Sequence, residues 1–541
     1  MVQSKRNAKR QFRGGTFQEY AKETLSLERG SVSLKQGASV RVALVYPNAY
    51  EVGMASVGFQ TVYRLFNEHP DVRCERAFVR DRRFGREVRT LESCERLDRF
   101  DLVGFSLSFE LDLLNVLDSL MRTGIPVLRC DRSERDPLIF IGGAVAGLNP
   151  SPLLPFIDGL QVGEGEEIIF EMAEALSRSK RQGYDREDRL RILSEIESVF
   201  IPHLNSDVKR HVVQSIDDHP AYTPVVTPRS HFEDMFIVEV GRGCMRGCLF
   251  CAAQKMHHPC RFRSTESILE TVTQWNPGSR KVGLEGEGLS DFASLVDLSE
   301  TLLDMEYGVS FSSIRGDRIT PGLISVLDRG NVKSFTIAPE AGSEHLRNRV
   351  GKGISDSVLK DAVRLLGESS VELLKLYFLI GLPGETDADV EAIVELVRDM
   401  TSLFIVRGRK KRIRLSVNGF VPKPFTEFQW AAMENEKELM RKRKRMRQSF
   451  RGLRGVAIAP KSTKEEILQG VLSLGDERVG MAMMDRLKKN IPWKQAVEER
   501  GIRVRELLHE ERPFEKKLPW DFIRSEISKN RLWERYRNYL N

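Results

Sequence analysis

Three cysteines in one short run constrain this chain more than any other feature. Cys244, Cys248 and Cys251 stand in the spacing C-x3-C-x2-C within residues 241–251. Three thiolates on one loop can hold three irons of a [4Fe–4S] cluster, and no fourth cysteine falls in the immediate register. Such a cluster keeps one iron open for a small molecule.

Zinc is the alternative occupant of this run. Structural zinc takes four ligands, and His257, His258 and Cys260 lie close enough in sequence to complete a set. Glycines within the run allow the backbone to wrap closely around a bulky inorganic core. Arg242 and Arg246 supply positive charge that favours thiolates. These features favour the iron–sulfur interpretation and leave unligated core cysteines as the least favoured one.

The run resembles the cluster loop of radical S-adenosylmethionine (SAM) enzymes. In that family the open iron chelates the amino and carboxylate groups of SAM. An electron from the cluster then splits SAM into methionine and a 5′-deoxyadenosyl radical. The resemblance implies that the three cysteines are the metal ligands. It also implies that Phe250, the aromatic residue before the last cysteine, packs near the adenine of SAM.

Bulk composition indicates a multidomain globular protein without a membrane span. A length of 541 residues predicts about three or four domains. The net charge of +7 is mild for this size and does not by itself imply a nucleic-acid partner. We find no run of ~18 uncharged apolar residues and no apolar segment after the basic N-terminus. Seven cysteines in so long a chain do not form a disulfide framework and suit a reducing cytoplasm.

Short apolar runs alternate with amphipathic helical patterns along the first part of the chain. Residues 41–46, 102–107, 138–141 and 159–162 read as strands of a parallel sheet covered by helices, which predicts an α/β fold. We assign residues 39–200 to a Rossmann-like domain. The preceding residues 1–38 are predicted to be a basic arm, and the proline-containing residues 201–231 a linker.

The alternation restarts at about residue 235. Strands are predicted at residues 236–240, 281–284, 309–313, 334–337, 374–380 and 413–417. Six βα units resemble the partial (β/α)6 barrel of the radical SAM family, and they define a barrel domain over residues 232–430. The cysteine run follows the first of these strands, at the edge where such folds place their chemistry. Residues 431–541 turn helical and charged.

Further segments at the predicted strand ends resemble SAM-binding elements of the family. The turn with Gly286 and Glu287 matches the position of a glycine-rich turn that meets the SAM amino group, although it departs from the usual Gly-Gly-Glu. Arg315 is placed to pair with the SAM carboxylate; the alternative is a surface arginine. Glu340 falls in the segment near the SAM ribose. The string at residues 381–386, Gly-Leu-Pro-Gly-Glu-Thr, is common in the branch with tRNA methylthiotransferases, and Thr386 also reads as a helix cap.

The first domain resembles the cobalamin-binding domain of cobalamin-dependent radical SAM enzymes. The resemblance assigns cobalamin contacts to small or polar residues after four predicted strands, where open α/β sheets bind ligands. These residues are Asn48, Tyr50, Gly53, Met54, Ser106, Ser108, Gly142, Gly143, Gly163, Glu164 and Gly165. The Asp-x-His-x-x-Gly motif that supplies an axial histidine to cobalt in other cobalamin proteins is absent. A scaffold that binds no cofactor remains the alternative.

The whole arrangement over residues 39–540 resembles radical SAM proteins with an N-terminal cobalamin-binding-like domain. It implies an enzyme with a [4Fe–4S] cluster, SAM and cobalamin that transfers a methyl group to an unactivated carbon. A reductant such as flavodoxin or ferredoxin would be its electron donor. A second hypothesis is a cobalamin-independent radical SAM enzyme that modifies RNA or a ribosome-associated substrate. A third is a noncatalytic iron–sulfur or zinc protein that binds nucleic acid.

Two further patterns bear on these hypotheses. Methylthiotransferases hold a second cluster with three cysteines in their N-terminal domain, and this chain has Cys74, Cys94 and Cys130 there. Their spacing, C-x19-C-x35-C, does not match that family, so ordinary thiols are favoured.

Basic runs at residues 407–414 and 441–447 are of the kind that binds RNA phosphates. The alternative for these runs is a solvated helix face balanced by nearby acidic residues.

Overall fold

The computed structural model describes residues 15–79, 87–406 and 409–541. Most of the first half of the predicted basic arm and residues 407–408 of the first basic run therefore lie outside the described residues. Within the described part, the chain forms an α/β structure built on three main parallel or mostly parallel sheets. The predicted fold class is confirmed.

A six-stranded sheet organises the first part of the chain, in the order β2-β1-β3-β4-β5-β6. Every neighbouring pair is parallel except β5–β6. The strands are β1 (Val40–Tyr46), β2 (Val72–Phe78), β3 (Leu102–Ser106), β4 (Leu138–Gly142), β5 (Gly159–Gln161) and β6 (Val199–Phe200). The strand order reverses between β1 and β3, and the carboxyl edge at such a switch point is where open α/β sheets bind ligands.

Helices cover both faces of this sheet, so β1 is a nearly continuous buried apolar strand. They are α1 (Phe17–Ser26), α2 (Tyr50–Gly53), α3 (Val57–Glu68), α4 (Leu113–Thr123), α5 (Ala144–Leu148), α6 (Glu166–Arg181) and α7 (Arg186–Ser194). The α1 helix belongs to the predicted arm and packs on the sheet's core through Tyr20 and Ala21. The predicted linker contains the short strand β7 (Val208–Lys209).

Two four-stranded sheets form the second part of the chain. One has the order β11-β10-β8-β9 and the other the order β12-β13-β16-β17. Their strands are β8 (Met235–Arg242), β9 (Arg261–Phe262), β10 (Lys281–Gly286), β11 (Gly308–Phe311), β12 (Ser334–Glu340), β13 (Leu373–Ile380), β16 (Arg412–Gly419) and β17 (Val456–Ile458), while the two-stranded hairpin between β13 and β16 is β14 (Ile405–Val406) with β15 (Arg409–Lys410).

All six predicted barrel strands are present, as β8, β10, β11, β12, β13 and β16. They form a half-barrel whose two sheets meet where the amide of Ile314 donates to the carbonyl of Thr336 at 3.2 Å. The helices between them are α8 (Ala253–Met256), α9 (Thr265–Trp275), α10 (Leu295–Asp304), α11 (Pro321–Arg329), α12 (Glu344–Arg349), α13 (Asp356–Glu368) and α14 (Asp387–Leu403). Thr386 caps α14: its hydroxyl accepts from the amide of Asp389, as the sequence predicts.

The C-terminal part is mainly helical and contacts both preceding parts. Its elements are α15 (Glu436–Ser449), α16 (Thr463–Leu474), α17 (Glu477–Lys489), α18 (Trp493–Glu499), α19 (Val504–Leu508), β18 (Ile523–Arg524) and α20 (Lys529–Leu540). Strand β18 pairs with β7. The side-chain amide of Asn149 donates to the carbonyls of Ser473 and Gly475, which joins α16 to the first sheet's loops. No helix among the described residues is both long and apolar enough to cross a membrane.

Candidate radical SAM site

The cysteine run forms a tight loop directly after β8. Gly243 has a φ of +75°, and a Cβ there would lie 2.3 Å from the carbonyl oxygen of His257. Gly351, on the loop after α12, has a φ of +77°, and a Cβ there would lie 2.4 Å from the carbonyl oxygen of Gly247. Only glycine adopts these positions without strain. The loop is thus held between two neighbouring segments of the half-barrel.

The three cysteines differ in burial. Cys248 is buried with its Sγ 3.6 Å from the carbonyl oxygen of Gly351, and Cys244 and Cys251 are half-buried. Burial raises the pKa of the Cys248 thiol, against the lowering effect of the Lys352 ammonium, and raises the pKa of Cys251 to about 11. Thiols in such surroundings release protons when a metal binds, because a thiolate is the metal-ligating form. Three thiols on one glycine-rich loop fit the ligand set of a [4Fe–4S] cluster.

His257 and Cys260, two candidate ligands of the zinc alternative, lie against the cluster loop, where a Cβ at Gly243 would lie 3.1 Å from the Cα of Cys260. Among the described residues, no three histidine, cysteine or carboxylate side chains are grouped so that they could hold a single metal ion. His257 lies instead between two carboxylates, with Nδ1 3.7 Å from Glu164 and Nε2 3.5 Å from Glu287. The three cysteines of the first domain differ in burial: Cys74 is buried, Cys94 is half-buried and Cys130 is exposed.

Gly286 and Glu287 end β10 beside the cluster loop. A carboxylate oxygen of Glu287 accepts from the amide of Gly243 at 2.7 Å. A Cβ at Gly286 would lie 3.1 Å from the carbonyl oxygen of Gly241. Burial raises the pKa of Glu287, and the nearby His257 opposes that rise. This turn is therefore fixed against the start of the cluster loop, where the sequence predicts a SAM contact.

Arg315 and Glu340, the two predicted SAM residues on the next strand ends, are brought together by Lys352. The Lys352 ammonium lies 3.3 Å from a carboxylate oxygen of Glu340. The backbone carbonyl of Lys352 accepts a hydrogen bond from Nη2 of Arg315 at 2.8 Å. Asp317 holds Nε of Arg315 at 3.0 Å. Among the described residues, Nη1 of Arg315 has no hydrogen-bond partner and is free to meet a carboxylate. Sequence reasoning missed Lys352, although its position between Gly351 and Gly353 marked a tight turn.

Phe250 and Glu340 line a cavity of about 510 Å³ at the mouth of the half-barrel, the reaction cavity. All three parts of the chain contribute to its wall. The lining residues include Phe109 from the first part, Leu379 and Asn418 from the strand ends, and Lys461, Ser462 and Gln469 from the C-terminal part. A space of this size suits a small-molecule or nucleoside-sized group.

Seven of the eleven predicted cobalamin residues line one cavity of about 260 Å³ at the carboxyl edge of the first sheet, the sheet-edge cavity. They are Ser106, Ser108, Gly142, Gly143, Gly163, Glu164 and Gly165. The cavity runs inward between the sheet and its helices, past Leu44, Phe66 and Met172, so its inner wall is apolar. It also reaches Glu239, Arg242 and His257 of the half-barrel.

The other four predicted cobalamin residues lie outside that cavity. Tyr50 is buried and its hydroxyl donates to Glu28 at 2.5 Å. A Cβ at Gly53 would lie 2.5 Å from the Phe78 ring, and Met54 is buried in the core. The side-chain amide of Asn48 donates to Asp112 at 2.8 Å. Gly53 and Met54 make packing contacts and Asn48 and Tyr50 make hydrogen bonds within the protein, and the role of all four in cofactor binding stays a prediction.

A buried ion-pair network joins the sheet-edge cavity to the cluster loop. Arg242, two residues before Cys244, contacts Glu164 at 3.2 Å, and it also contacts Glu166. Arg261 binds Glu164 at 2.5 Å. Burial acts to raise the pKa of Glu164, but the neighbouring His257, the hydrogen bonds from Arg261 and the charge of Arg242 hold it well below its usual range. Sequence reasoning missed this network because its partners are about 80 or more residues apart and no local pattern pairs them.

Glu285 gives the site a pH dependence that can be measured. It pairs in register with Glu239 across β10 and β8 and is exposed at the strand end, where partial desolvation together with the Glu239 and Glu287 charges raises its pKa to about 7. A carboxyl whose pKa is raised on folding stabilises the protein below the unfolded pKa, and this contribution is lost as the pH rises through 7. Glu285→Gln should therefore raise stability at pH 8 by about 1 kcal/mol, allowing for solvent screening, and change little at pH 5.

Denaturation of the cofactor-free protein at the two pH values measures this effect. Glu270→Gln, on the exposed face of α9, serves as the matched control and should leave the pH dependence unchanged. A stability gain from Glu285→Gln that is equal at pH 5 and pH 8 would contradict the assignment.

Comparison with known proteins follows the same division of the chain. A family model described as "Radical SAM proteins, N-terminal" matches residues 58–202, and the model of the radical SAM superfamily matches residues 238–397. An uncharacterised protein of Methanocaldococcus jannaschii is 28% identical over 446 residues, covering 81% of this chain and 89% of its own. The ribosomal protein uS12 methylthiotransferase RimO of Thermotoga petrophila is 22% identical, covering 52% of this chain and 74% of its own.

A similar solved structure is that of the radical SAM methyltransferase TsrM from Kitasatospora setae, with cobalamin and a [4Fe–4S] cluster bound. It superposes with a TM-score of 0.50 at 15% identity, covering 73% of this chain and 79% of TsrM. This likeness concerns the fold. The superfamily match contains the cluster loop, both models describe radical SAM proteins and together they match more than half of the chain, which belongs to the radical SAM superfamily.

Proposed function

We propose that this radical SAM enzyme uses cobalamin to transfer a methyl group to an unactivated carbon. One observation carries the proposal: seven residues predicted to contact cobalamin line one cavity, and that cavity adjoins the cluster-bearing half-barrel. The ion pairs of Arg242 with Glu164 and Glu166 fix the two regions to each other. A methyl donor at the sheet edge and a radical source at the cluster loop would then share one reaction space.

The residues present fit the groups that the family implies. When bound, the cluster and SAM supply a radical that removes a hydrogen atom from the substrate, and cobalamin supplies the methyl group. Cys244, Cys248 and Cys251 would hold the cluster. Residues at the neighbouring strand ends and on the cluster loop would hold SAM: Gly286, Glu287, Arg315, Glu340 and Phe250.

The sheet-edge cavity fits one part of cobalamin in particular. Its apolar inner wall, with Leu44, Phe66 and Met172, suits a planar aromatic base such as the one on the nucleotide tail. At Gly142 a Cβ would meet nothing nearer than 3.9 Å, so the backbone there is open to a bound group. Ser106 and Ser108 offer hydroxyl groups at the entrance. The corrin itself would lie outside the cavity, toward the half-barrel.

The chain's own contribution is orientation and the exclusion of water, because cofactors carry the difficult chemistry in such enzymes. Glu110 is buried between Lys423 and Gln469, which joins the first part of the chain to the other two above the reaction cavity. Arg535 of α20 donates to the carbonyl of Gly247 at 3.2 Å and so covers the cluster loop. A reductant such as flavodoxin or ferredoxin would supply the electron.

The decisive experiment is the cobalamin content of protein expressed with hydroxocobalamin and purified without oxygen. We expect near-stoichiometric corrin by absorbance and mass spectrometry, together with SAM-dependent formation of 5′-deoxyadenosine. Protein that cleaves SAM but contains no corrin would refute the cobalamin part of the proposal.

A second candidate is a cobalamin-independent radical SAM enzyme that modifies RNA or a ribosome-associated substrate. It is supported by the similarity to proteins named as methylthiotransferases of ribosomal protein uS12, and to a tRNA 2-methylthio-N(6)-dimethylallyladenosine synthase of Coxiella burnetii at 26% identity over 190 residues. In that case the first domain is a scaffold or substrate module. The corrin measurement separates the two candidates.

A further inference from the structure

A groove of about 690 Å³ lies between α15 and the start of α16, and basic residues dominate its wall. Five exposed cations line it: Lys444, Arg447, Arg451, Lys461 and Lys464. None of the five has a carboxylate partner among the described residues. We call this site the basic groove. Glu436 is the acidic residue in its lining, and it pairs with Lys494 at 2.8 Å.

Other cations of α15 form ion pairs with carboxylates. Arg441 and Arg445 pair with Asp387, Lys442 pairs with Glu385 at 2.8 Å, and Arg443 pairs with Glu466 at 2.6 Å. These partners belong to α14, the turn before it and α16. The helix therefore carries paired cations beside Lys444 and Arg447, which have no carboxylate partner among the described residues. Two of the paired cations, Arg441 and Arg443, also line the groove, so its wall combines both kinds. Nearby acidic residues balance the charge of the first set and not that of the second.

The groove has the shape and polarity to receive a chain of phosphates. Lys444 and Arg447 are three residues apart and so lie on one face of the helix, and Arg451 follows just beyond its end. Seven helical residues span about 10 Å, which allows more than one phosphate contact. The N-terminus of the 12-residue α16 also points at the groove through Ser462 and Thr463, and helix N-termini favour anions. Met440, 55% exposed, offers an apolar surface beside the cations.

The basic groove adjoins the reaction cavity. Lys461 and Ser462 line both. At its other end the reaction cavity is lined by Phe250 of the cluster loop and by Glu340. A strand whose phosphates lie in the groove would therefore reach the site where SAM is expected. Ser462, Glu465 and Gln469 at the junction are hydrogen-bonding groups that suit a 2′-hydroxyl, the group that distinguishes RNA from DNA.

We propose that the basic groove binds the phosphate backbone of a single-stranded RNA substrate and directs one of its nucleosides into the reaction cavity. This inference rests on the proposed function, since it names the substrate class of the same cavity. It does not depend on cobalamin, because the groove and the sheet-edge cavity are lined by different residues.

Fluorescence anisotropy with a labelled 12-nucleotide RNA tests this, using the full-length protein without SAM or reductant. The variant is the triple change Lys444→Glu, Arg447→Glu and Lys464→Glu. We expect at least tenfold weaker RNA binding and a decrease of about 2 in the slope of log affinity against log salt, since each single-strand phosphate contact contributes ~0.7. Lys488→Glu, Lys517→Glu and Arg531→Glu, at exposed positions away from the groove, make a matched control with the same charge change.

The outcomes separate this inference from the proposed function. Normal affinity in the control triple with weak affinity in the groove triple supports the proposal, provided that circular dichroism shows both to be folded. Equal losses in the two triples would overturn it, because general charge attraction would then explain binding. Equal or tighter binding of DNA of the same sequence would overturn the choice of RNA. Wild-type protein that contains corrin and cleaves SAM but binds no RNA would refute the groove proposal alone.

Discussion

Replacing Cys248 with alanine should reduce reductive SAM cleavage to background. Cys248 is the buried member of the three cysteines and lies at the centre of the loop that Gly243 and Gly351 hold in place. Two remaining thiolates would leave a second iron without a protein ligand, so the cluster should be lost or unstable. Iron and sulfide content, the visible absorbance of the reconstituted protein, and 5′-deoxyadenosine formation by dithionite-reduced enzyme measure the effect.

Two other cysteines make this experiment specific. Cys130→Ala removes an exposed thiol far from the loop and should leave iron content and SAM cleavage at the wild-type level. Cys260→Ala tests the zinc alternative, because a zinc site completed by Cys260 would lose its metal. Unchanged 5′-deoxyadenosine formation by Cys248→Ala would refute the cluster assignment. Stoichiometric zinc that disappears in Cys260→Ala would replace it.

The fold was largely predictable because central strands of the first sheet are buried on both faces. Strands such as β1 and β4 read as nearly continuous apolar runs, and the helices between the strands have clear amphipathic patterns. Most of the elements that were not predicted are short: strands β6, β7, β9, β14, β15 and β18 have two residues each, too few for any periodic pattern. The seven-residue strand β2 was also missed, because Arg73, Glu75 and Arg76 interrupt its apolar residues. The break in strand pairing between β11 and β12, where the Ile314–Thr336 hydrogen bond joins the two sheets, had no signal in the sequence.

The candidate site was predictable where the ligands are local and not where they are distant. The three cysteines stand within eight residues of each other, and their spacing alone defines the loop. Ser106 and Gly142 were found by the general rule that ligands bind beyond the carboxyl ends of parallel strands. Tyr50 and Met54 satisfy the same rule, but the short helix α2 directs both into the core. The pairing of Tyr50 with Glu28, near the end of the arm, had no signal in either segment.

The two basic runs show a similar limit. The sequence gives the number of cations in each run but not which of them form ion pairs. The carboxylates that neutralise Arg441, Lys442 and Arg443 come from other helices and turns. Only the packed structure separates these paired cations, two of which also line the basic groove, from the five groove cations that have no carboxylate partner among the described residues. The run at residues 441–447 is therefore interpreted as part of a candidate substrate-binding surface and not as a helix face whose charges are all balanced.

Replacing Gly142 with leucine should abolish cobalamin binding while the chain still folds. The backbone of Gly142 is not in a left-handed conformation, and a Cβ there meets nothing nearer than 3.9 Å, so side chains are tolerated. A leucine side chain would extend into the sheet-edge cavity and occupy the space proposed for the nucleotide tail. Corrin content of protein expressed with hydroxocobalamin should fall at least tenfold.

Gly142→Ala is the matched control for this change, because one methyl group leaves most of the cavity open and should preserve the bound corrin. Circular dichroism and reductive SAM cleavage would show that the leucine variant keeps its fold and its cluster, since Gly142 belongs to the first sheet and the cysteines to the loop after β8. Loss of corrin with SAM cleavage retained would make the sheet-edge cavity the cobalamin site. Full corrin content in Gly142→Leu would mean that cobalamin binds elsewhere, and the glycines and serines that line this cavity would then owe their small size to packing alone.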